Sequence, residues 1–349
     1  MKTIFAVDDS DINLLMAKKA LEGSYGILTM SSAARMFTLL EKIIPDLILL
    51  DISMPGMNGF EALQCLKSNP LYADIPVIFL TGNTDTVTES RGFELGVVDF
   101  IAKPFSRPVL LNRVKTHLDI DELIRARMAQ IRRLQNGIVT VLADVVEERD
   151  KETGGHNSRT AEYVKILIKA MEERGVYADE IGGWDIDITV LSARLHDVGK
   201  IHVLDIILNK PGKLDSEEYE KMKLHTTDCA LIIDRMIKQT GEEEFLRYAK
   251  LFTEYHHERW DGMGYPHGLA GTDIPLQGRI MAIADVYDAL VSFRPYKEAF
   301  TNEEAVQIIN TNAGSHFDPK IVEVFLEVKD EFKAVKEASS QQATSGKSA

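Results

Sequence analysis

The chain has 349 residues, with 54 Asp and Glu against 40 Lys and Arg and a formal net charge of −14. That length suits about two domains, each able to bury its own core. A hydrophobic fraction of 45% with 27% charged residues excludes a wholly disordered or collagen-like chain, and the acidic balance argues against a nucleic-acid partner, which needs clustered cations. No run approaches the roughly 18 apolar residues of a membrane span, and residues 1–7 are too few for the core of a signal peptide, so no membrane insertion and a cytoplasmic location are expected. Cys65 and Cys229 fall in separate candidate domains, which favours reduced thiols over a disulfide.

Up to about residue 105, short apolar runs recur at 4–7, 26–30, 47–50, 77–80 and 97–101, and they predict buried parallel strands. Helical spacings lie between them, such as Phe60, Leu63 and Leu66. The alternation predicts an α/β domain over residues 1–120, a doubly wound five-stranded parallel sheet.

After Pro108 no proline occurs until Pro211, as a helical stretch requires. From Leu110 a 4,3 spacing runs through Val114, His117, Asp121, Ile124, Met128, Ile131, Gln135, Ile138, Leu142 and Val145. This heptad seam predicts a helical linker over 108–150 that pairs with its twin in a parallel homodimer; the alternative is one amphipathic helix packed on its own domain. Residues 135–333 read as an all-α domain, and 336–349 as a disordered tail with almost nothing to bury.

Asp8 and Asp9 directly follow the first predicted strand and Asp51 directly follows the third, so their carboxylates converge at the carboxyl edge of the sheet. Three carboxylates need a cation, and their hard oxygens suit Mg²⁺. Thr81 ends the fourth strand and Lys103 follows the fifth, bringing a hydroxyl and an ammonium to the same rim. The set describes a site that accepts a phosphoryl group on Asp51. These residues, with the run Asp51-Ile52-Ser53-Met54-Pro55-Gly56-Met57-Asn58-Gly59 and the pair Lys103-Pro104, resemble the response-regulator receiver family, which has the flavodoxin-like fold. The resemblance implies Asp51 as the acceptor from a cognate histidine kinase, Mg²⁺ held by Asp8, Asp9, Asp51 and the backbone of Ser53, Thr81 and Phe100 as the switch pair, and Lys103 on the phosphoryl oxygens.

In the second half, five of the nine histidines sit among acidic neighbours: His156 after Glu152, the pair His196-Asp197 followed by Lys200, then His225 and His256-His257, with Asp285 a further candidate carboxylate. Glu152 and His156 share a face if helical, and Asp197 beside His196 can bridge two metals. Imidazole and carboxylate without thiolate suit Fe, Mn, Zn or Ni. Such a bimetal centre fits phosphodiester hydrolysis, with Lys200 neutralising phosphate charge. His117, His202, His267 and His316 stand alone and read as structural.

This segment resembles the HD-GYP cyclic di-GMP phosphodiesterases, a subgroup of the HD metal-dependent phosphohydrolases: His196-Asp197 match the HD pair, and Gly264-Tyr265-Pro266 match the GYP signature within the run from His256. The resemblance implies His156, His196, Asp197, His225, His256, His257 and Asp285 as ligands of transition metals, iron or else manganese or another, with Glu152 added for a third ion. It implies catalytic roles for Asp197 and Lys200, and substrate binding by Gly264, Tyr265, Pro266, Arg294 and Lys297. His202 and Leu204 stand where the family has Gly and Pro, which opens an approach of His202 to the metals. The expected function is a two-component response regulator that hydrolyses cyclic di-GMP to pGpG or GMP under control of Asp51. The rival readings are a non-catalytic cyclic di-GMP sensor acting through a protein partner and an HD hydrolase of another nucleotide; a DNA-binding output finds no basic recognition helix.

Overall fold

The computed structural model describes residues 1–82, 86–150, 155–241, 244–292 and 299–345, with the side chains of 340 and 342–345 excepted. The chain divides into two compact units, Met1–Arg132 and Arg133–Ala349.

In the first unit the strands β1 Thr3–Val7, β2 Gly26–Met30, β3 Leu47–Asp51, β4 Val77–Thr81 and β5 Asp99–Ala102 form one parallel sheet in the order β2-β1-β3-β4-β5. Helices α1 Asp11–Leu21, α2 Ala33–Leu40, α3 Gly59–Ser68 and α4 Thr86–Glu94 alternate with them. The strand interiors read as continuous apolar runs because both faces are covered: β3 and β4 are buried at every position. Phe5, Ile48, Leu50 and Phe79 feed one core, and Ile4, Leu47, Leu49 and Ile78 the other. Each such side chain contributes about 1.5–3 kcal/mol on burial. The strand order reverses between β1 and β3, which sets Asp8, Asp9 and Asp51 at the switch point.

The helix α5 is continuous from Arg107 to Arg149, with Pro108 in its first turn, where no internal donor is needed. Its predicted seam is not uniform. Leu110 and Val114 are fully buried in the core of the first unit beside Leu118, so the first seam positions already have a partner. Ile124, Met128, Ile131, Ile138 and Val145 are exposed.

The second unit continues with α6 His156–Arg174, α7 Ala178–Ile181, α8 Ile186–Ala193, α9 Asp205–Leu208, α10 Ser216–Thr240, α11 Glu244–Tyr255, α12 Leu276–Val291, α13 Asn302–Thr311 and α14 Pro319–Ser345, with 3₁₀ turns at Val198–His202 and Gly271–Asp273. Its core gathers Tyr163, Leu167, Phe252, Ile280, Tyr287, Phe325 and Phe332. The expectation of a disordered tail is corrected: α14 runs through residues 336–345, while 346–349 lie outside the described residues. Once Phe325 and Phe332 anchor a helix, Ala, Lys, Glu and Gln extend it at little cost, because propagation is far cheaper than nucleation. Among the described residues no helix is long and apolar enough to cross a membrane.

Candidate active site

The first residue of α6, two residues after α8, the middle of α10, the end of α11 and the third turn of α12 supply the metal-ligand candidates. His156, His196 and Asp285 form one cluster, and His225, His256 and His257 another, each with ligand atoms within 4.8 Å of one another. Nε2 of His156 lies 3.3 Å from Nε2 of His196, and Nε2 of His225 lies 3.4 Å from that of His256. Asp197 stands between the clusters. Its Oδ1 is 3.4 Å from His225 Nε2 and 3.8 Å from His256 Nε2, while its Oδ2 is 3.5 Å from His196 Nε2 and 4.0 Å from His156 Nε2. A carboxylate with one oxygen toward each cluster is the arrangement of a bridging ligand.

The free Nδ1 edges are also fixed. His196 Nδ1 faces the Ala193 carbonyl at 3.0 Å, His225 Nδ1 the Met222 carbonyl at 2.7 Å and His256 Nδ1 the Thr253 carbonyl at 2.8 Å. Each carbonyl takes the ring N–H and leaves the Nε2 lone pair directed inward. Burial pushes His225 and His256 down to about 4 and lowers His196 and His257 as well, so these rings are neutral donors at neutral pH. His156 differs: burial would lower it, but hydrogen bonds to Asp285 and Asp288 raise it to about 10. Burial would raise Asp197, yet Lys200 and the surrounding imidazoles hold it well below the usual carboxylate range. Lys200 Nζ reaches Asp197 Oδ2 at 2.8 Å and Asp150 Oδ2 at 3.2 Å. Convergent neutral imidazoles around buried carboxylates fit divalent transition-metal ions.

Two glycines make this packing feasible. A Cβ on Gly199 would overlap the His225 carbonyl oxygen and stand 2.8 Å from Cys229 Cβ, so only glycine lets the turn after Asp197 lie against α10. A Cβ on Gly264 would stand 2.6 Å from both the His257 carbonyl oxygen and Glu258 Cα. The tripeptide Gly264-Tyr265-Pro266 therefore lies directly on the turn that carries His256 and His257: Tyr265 N–H donates to the His257 carbonyl at 3.2 Å, and its ring lies 4.7 Å from the His257 ring.

In the first unit, Asp8, Asp9 and Asp51 converge within 4.8 Å, with Asp8 and Asp51 buried and Asp9 exposed. Lys103 Nζ lies 2.7 Å from Asp8 Oδ2 and 2.6 Å from Asp51 Oδ1, placing one cation against two carboxylates. Thr81 is buried at the end of β4, Ser53 is exposed just beyond β3, and Phe100 is buried on β5 against Phe79 and Phe93.

A family model described as HD domain matches residues 140–321, and one described as response regulator receiver domain matches residues 4–115. The chain belongs to the HD domain family, as a receiver-linked response regulator. It is 41% identical over 339 residues to a Vibrio cholerae protein named probable cyclic di-GMP phosphodiesterase, covering 93% of this chain and 77% of that one. It is 36% identical to the cyclic di-GMP phosphodiesterase response regulator RpfG of Xanthomonas campestris pv. campestris, covering 80% of this chain and 75% of that one. It is 32% identical to a cyclic di-GMP phosphodiesterase of Thermotoga maritima, covering 98% and 95% respectively.

In this HD-domain response regulator, Glu152, Arg294 and Lys297 lie outside the described residues. None of the solitary histidines belongs to either cluster among the described residues. His117 pairs with Asp99 at 3.0 Å, His267 with Glu254 at 2.9 Å, and His316 stacks on Phe317 at 4.2 Å. The opening for His202 toward the metals is corrected: its Nδ1 lies 3.8 Å from Asp228 Oδ2, and half of its side chain is exposed.

The sequence reading gave no role to four buried residues that hold the HD site, although Glu258 and Asp288 lie within the motif runs it singled out. Asp288 accepts from His156 Nδ1 at 2.8 Å, and Arg159 clamps Asp288 through Nε at 2.6 Å and Nη2 at 2.8 Å. Asp285 and Asp288 are three apart on α12, a spacing that could have signalled a shared face. Glu258 receives the backbone N–H groups of His267, Gly268 and Leu269 at 2.7, 3.2 and 3.0 Å, which ties down the loop after Pro266. Glu147 receives the N–H of His156, and only the tertiary fold brings it there.

Proposed function

We propose that this protein is a two-component output enzyme: a receiver that takes a phosphoryl group on Asp51, and an HD domain that hydrolyses cyclic di-GMP to pGpG or GMP. The observation that carries the enzymatic half is Asp197, with one carboxylate oxygen toward each of two histidine clusters. Two divalent ions held there, of iron, manganese or a similar metal, would lower the pKa of a water between them and neutralise the charge developing on the scissile phosphate. Glu152 is the candidate ligand for a third ion.

The chain's own groups do the rest. Asp197 keeps the clusters at a fixed separation, and the Nδ1 bonds hold each ring in the tautomer that can bind. Lys200, held at the edge of the site by Asp150 and Asp197, supplies a cation to the attacked phosphate. Tyr265 covers His257 and offers a ring face to the substrate, with Arg294 and Lys297 as its phosphate-binding candidates. In the receiver, Asp8, Asp9, Asp51 and the backbone of Ser53 would hold Mg²⁺, which would supply positive charge beside the phosphoacceptor, and Lys103, now paired with Asp8 and Asp51, would bind the phosphoryl oxygens. Thr81 and Phe100 then report the modification. The bare stripe on α5 pairs with a second copy, and the protein works in the cytoplasm beside a cognate histidine kinase.

The test is chromatography of cyclic di-GMP after incubation with protein purified without oxygen and loaded with Fe²⁺ or Mn²⁺. Product is expected with the intact chain and not with His196→Ala or Asp197→Ala. Intact nucleotide in the presence of verified metal would overturn the enzymatic reading and favour a sensor.

A further inference from the structure

The last two turns of α5 hold two of the three segments that carry the ligands of the His156 cluster. On one side lies Glu147, itself buried. Its Oε1 accepts the backbone N–H of His156 at 2.7 Å and its Oε2 that of Asn157 at 3.1 Å, while the Ala143 carbonyl accepts Asn157 Nδ2 at 3.1 Å. Helix α6 opens on Gly155, which offers no side-chain cap, so these first donors are satisfied from α5 instead. On the other side, Arg149 spreads its guanidinium over the carbonyls of Ile201 at 2.7 Å and Val203 at 3.1 Å and pairs with Asp205 at 2.8 Å. Asn209 returns a bond to the Arg149 carbonyl at 2.9 Å, and Asp150 holds Lys200. One arm therefore ends on His156 itself, and the other on the turn that directly follows His196 and Asp197.

We infer that Glu147 and Arg149 are positioning residues through which α5 sets His156 against His196 and Asp197, and that a small rotation or slide of α5 is converted there into a change in hydrolysis rate. The inference rests on the phosphodiesterase reading and names the contact through which that activity is regulated. A buried N–H left without an acceptor is costly, so the start of α6 must follow Glu147. The His156 ring is tied at its Nδ1 edge to Asp288 on α12, which has no bond to α5 among those described. Moving the start of α6 while α12 stays in place alters the 3.3 Å approach of the His156 and His196 Nε2 atoms, and with it the geometry of a shared ion. The same helix α5 begins with Leu110, Val114 and Leu118 in the receiver core and extends to Arg149, so it is the covalent path along which the bias travels.

The experiment uses the full chain loaded with Mn²⁺, with and without beryllofluoride as the phosphoryl mimic. Amide hydrogen exchange at residues 156–157 is followed alongside chromatography of cyclic di-GMP in the same samples. Beryllofluoride is expected to change exchange of the His156 and Asn157 amides at least threefold, and Asp51→Asn to abolish that response. Glu147→Gln, which removes one acceptor without emptying the space, and Arg149→Met are expected to lower kcat about tenfold with KM within twofold. Both should bring the ratio of rates with and without the mimic to one. Unchanged amides in the wild-type chain, or variants that keep the full rate ratio, would overturn the inference. If the amides respond while no chain hydrolyses the nucleotide, the activity reading falls and the α5 contact stands.

Discussion

Oδ2 of Asp288 lies 2.8 Å from Nδ1 of His156, on the edge of the imidazole opposite the Nε2 that faces His196. Asp285, one helical turn earlier on α12, approaches that other edge at 3.3 Å. One helix thus grips both nitrogens of one ring, one carboxylate beside the ligand position and the other behind it. A carboxylate behind a ligating histidine fixes its tautomer and raises its basicity. We expect Asp288→Asn to weaken Mn²⁺ binding about 10- to 100-fold. Equilibrium dialysis checks this, and unchanged affinity would show that Arg159 and packing alone orient the ring.

The two clusters should differ in the protons they release. His156 is raised to about 10 in the metal-free fold, so its proton stabilises the fold fully below its ordinary value near 6.5, and this contribution fades as pH rises through about 10. His225 and His256, lowered to about 4, already lack a proton. Loading metal at pH 8 is therefore expected to release about one proton from the His156 cluster and none from the other. Titration calorimetry in two buffers of unlike ionisation enthalpy reads that number, and zero release would contradict it.

Dimerisation is open to a direct test on α5. Ile131 and Ile138 are exposed by about half, and neither packs on its own domain. If they meet their counterparts in a second copy, the double variant Ile131→Glu, Ile138→Glu should weaken dimerisation about a hundredfold, at about 0.75 kcal/mol for each of the four half-exposed Ile that the two copies would return to water. Sedimentation at micromolar concentration measures the change. A wild-type monomer under the same conditions would remove the dimer from the proposal.

Thiol chemistry should separate the two cysteines. Cys65 is exposed on α3, whereas Cys229 is buried beside the Leu195 carbonyl and Thr253, and burial pushes its thiol up to about 12. Maleimide is expected to label one thiol in the native chain and two after unfolding. Rapid labelling of both in the native state would mean that α10 opens readily around the second metal cluster.

The amino-acid sequence by itself determined the parallel sheet, because strands covered on both faces read as unbroken apolar runs, and it marked out the candidate donors, because metal and phosphoryl chemistry restrict which side chains can serve. Asp8, Asp51 and Lys103 were legible from their places at strand ends, and His196-Asp197 and His256-His257 from adjacency along the chain. Only the tertiary structure decided what holds those donors. Glu147 and Asp288 reach His156 from nine and 132 residues away, and such distances carry no local signal. The same holds for α5 and α14. A heptad pattern cannot tell which apolar positions a domain will cover for itself, so Leu110 and Val114 were indistinguishable from Ile131 until the receiver closed over them. Likewise, the polar residues after Phe332 carry little helical signal alone, and remain helical because packing upstream has already met the cost of nucleation.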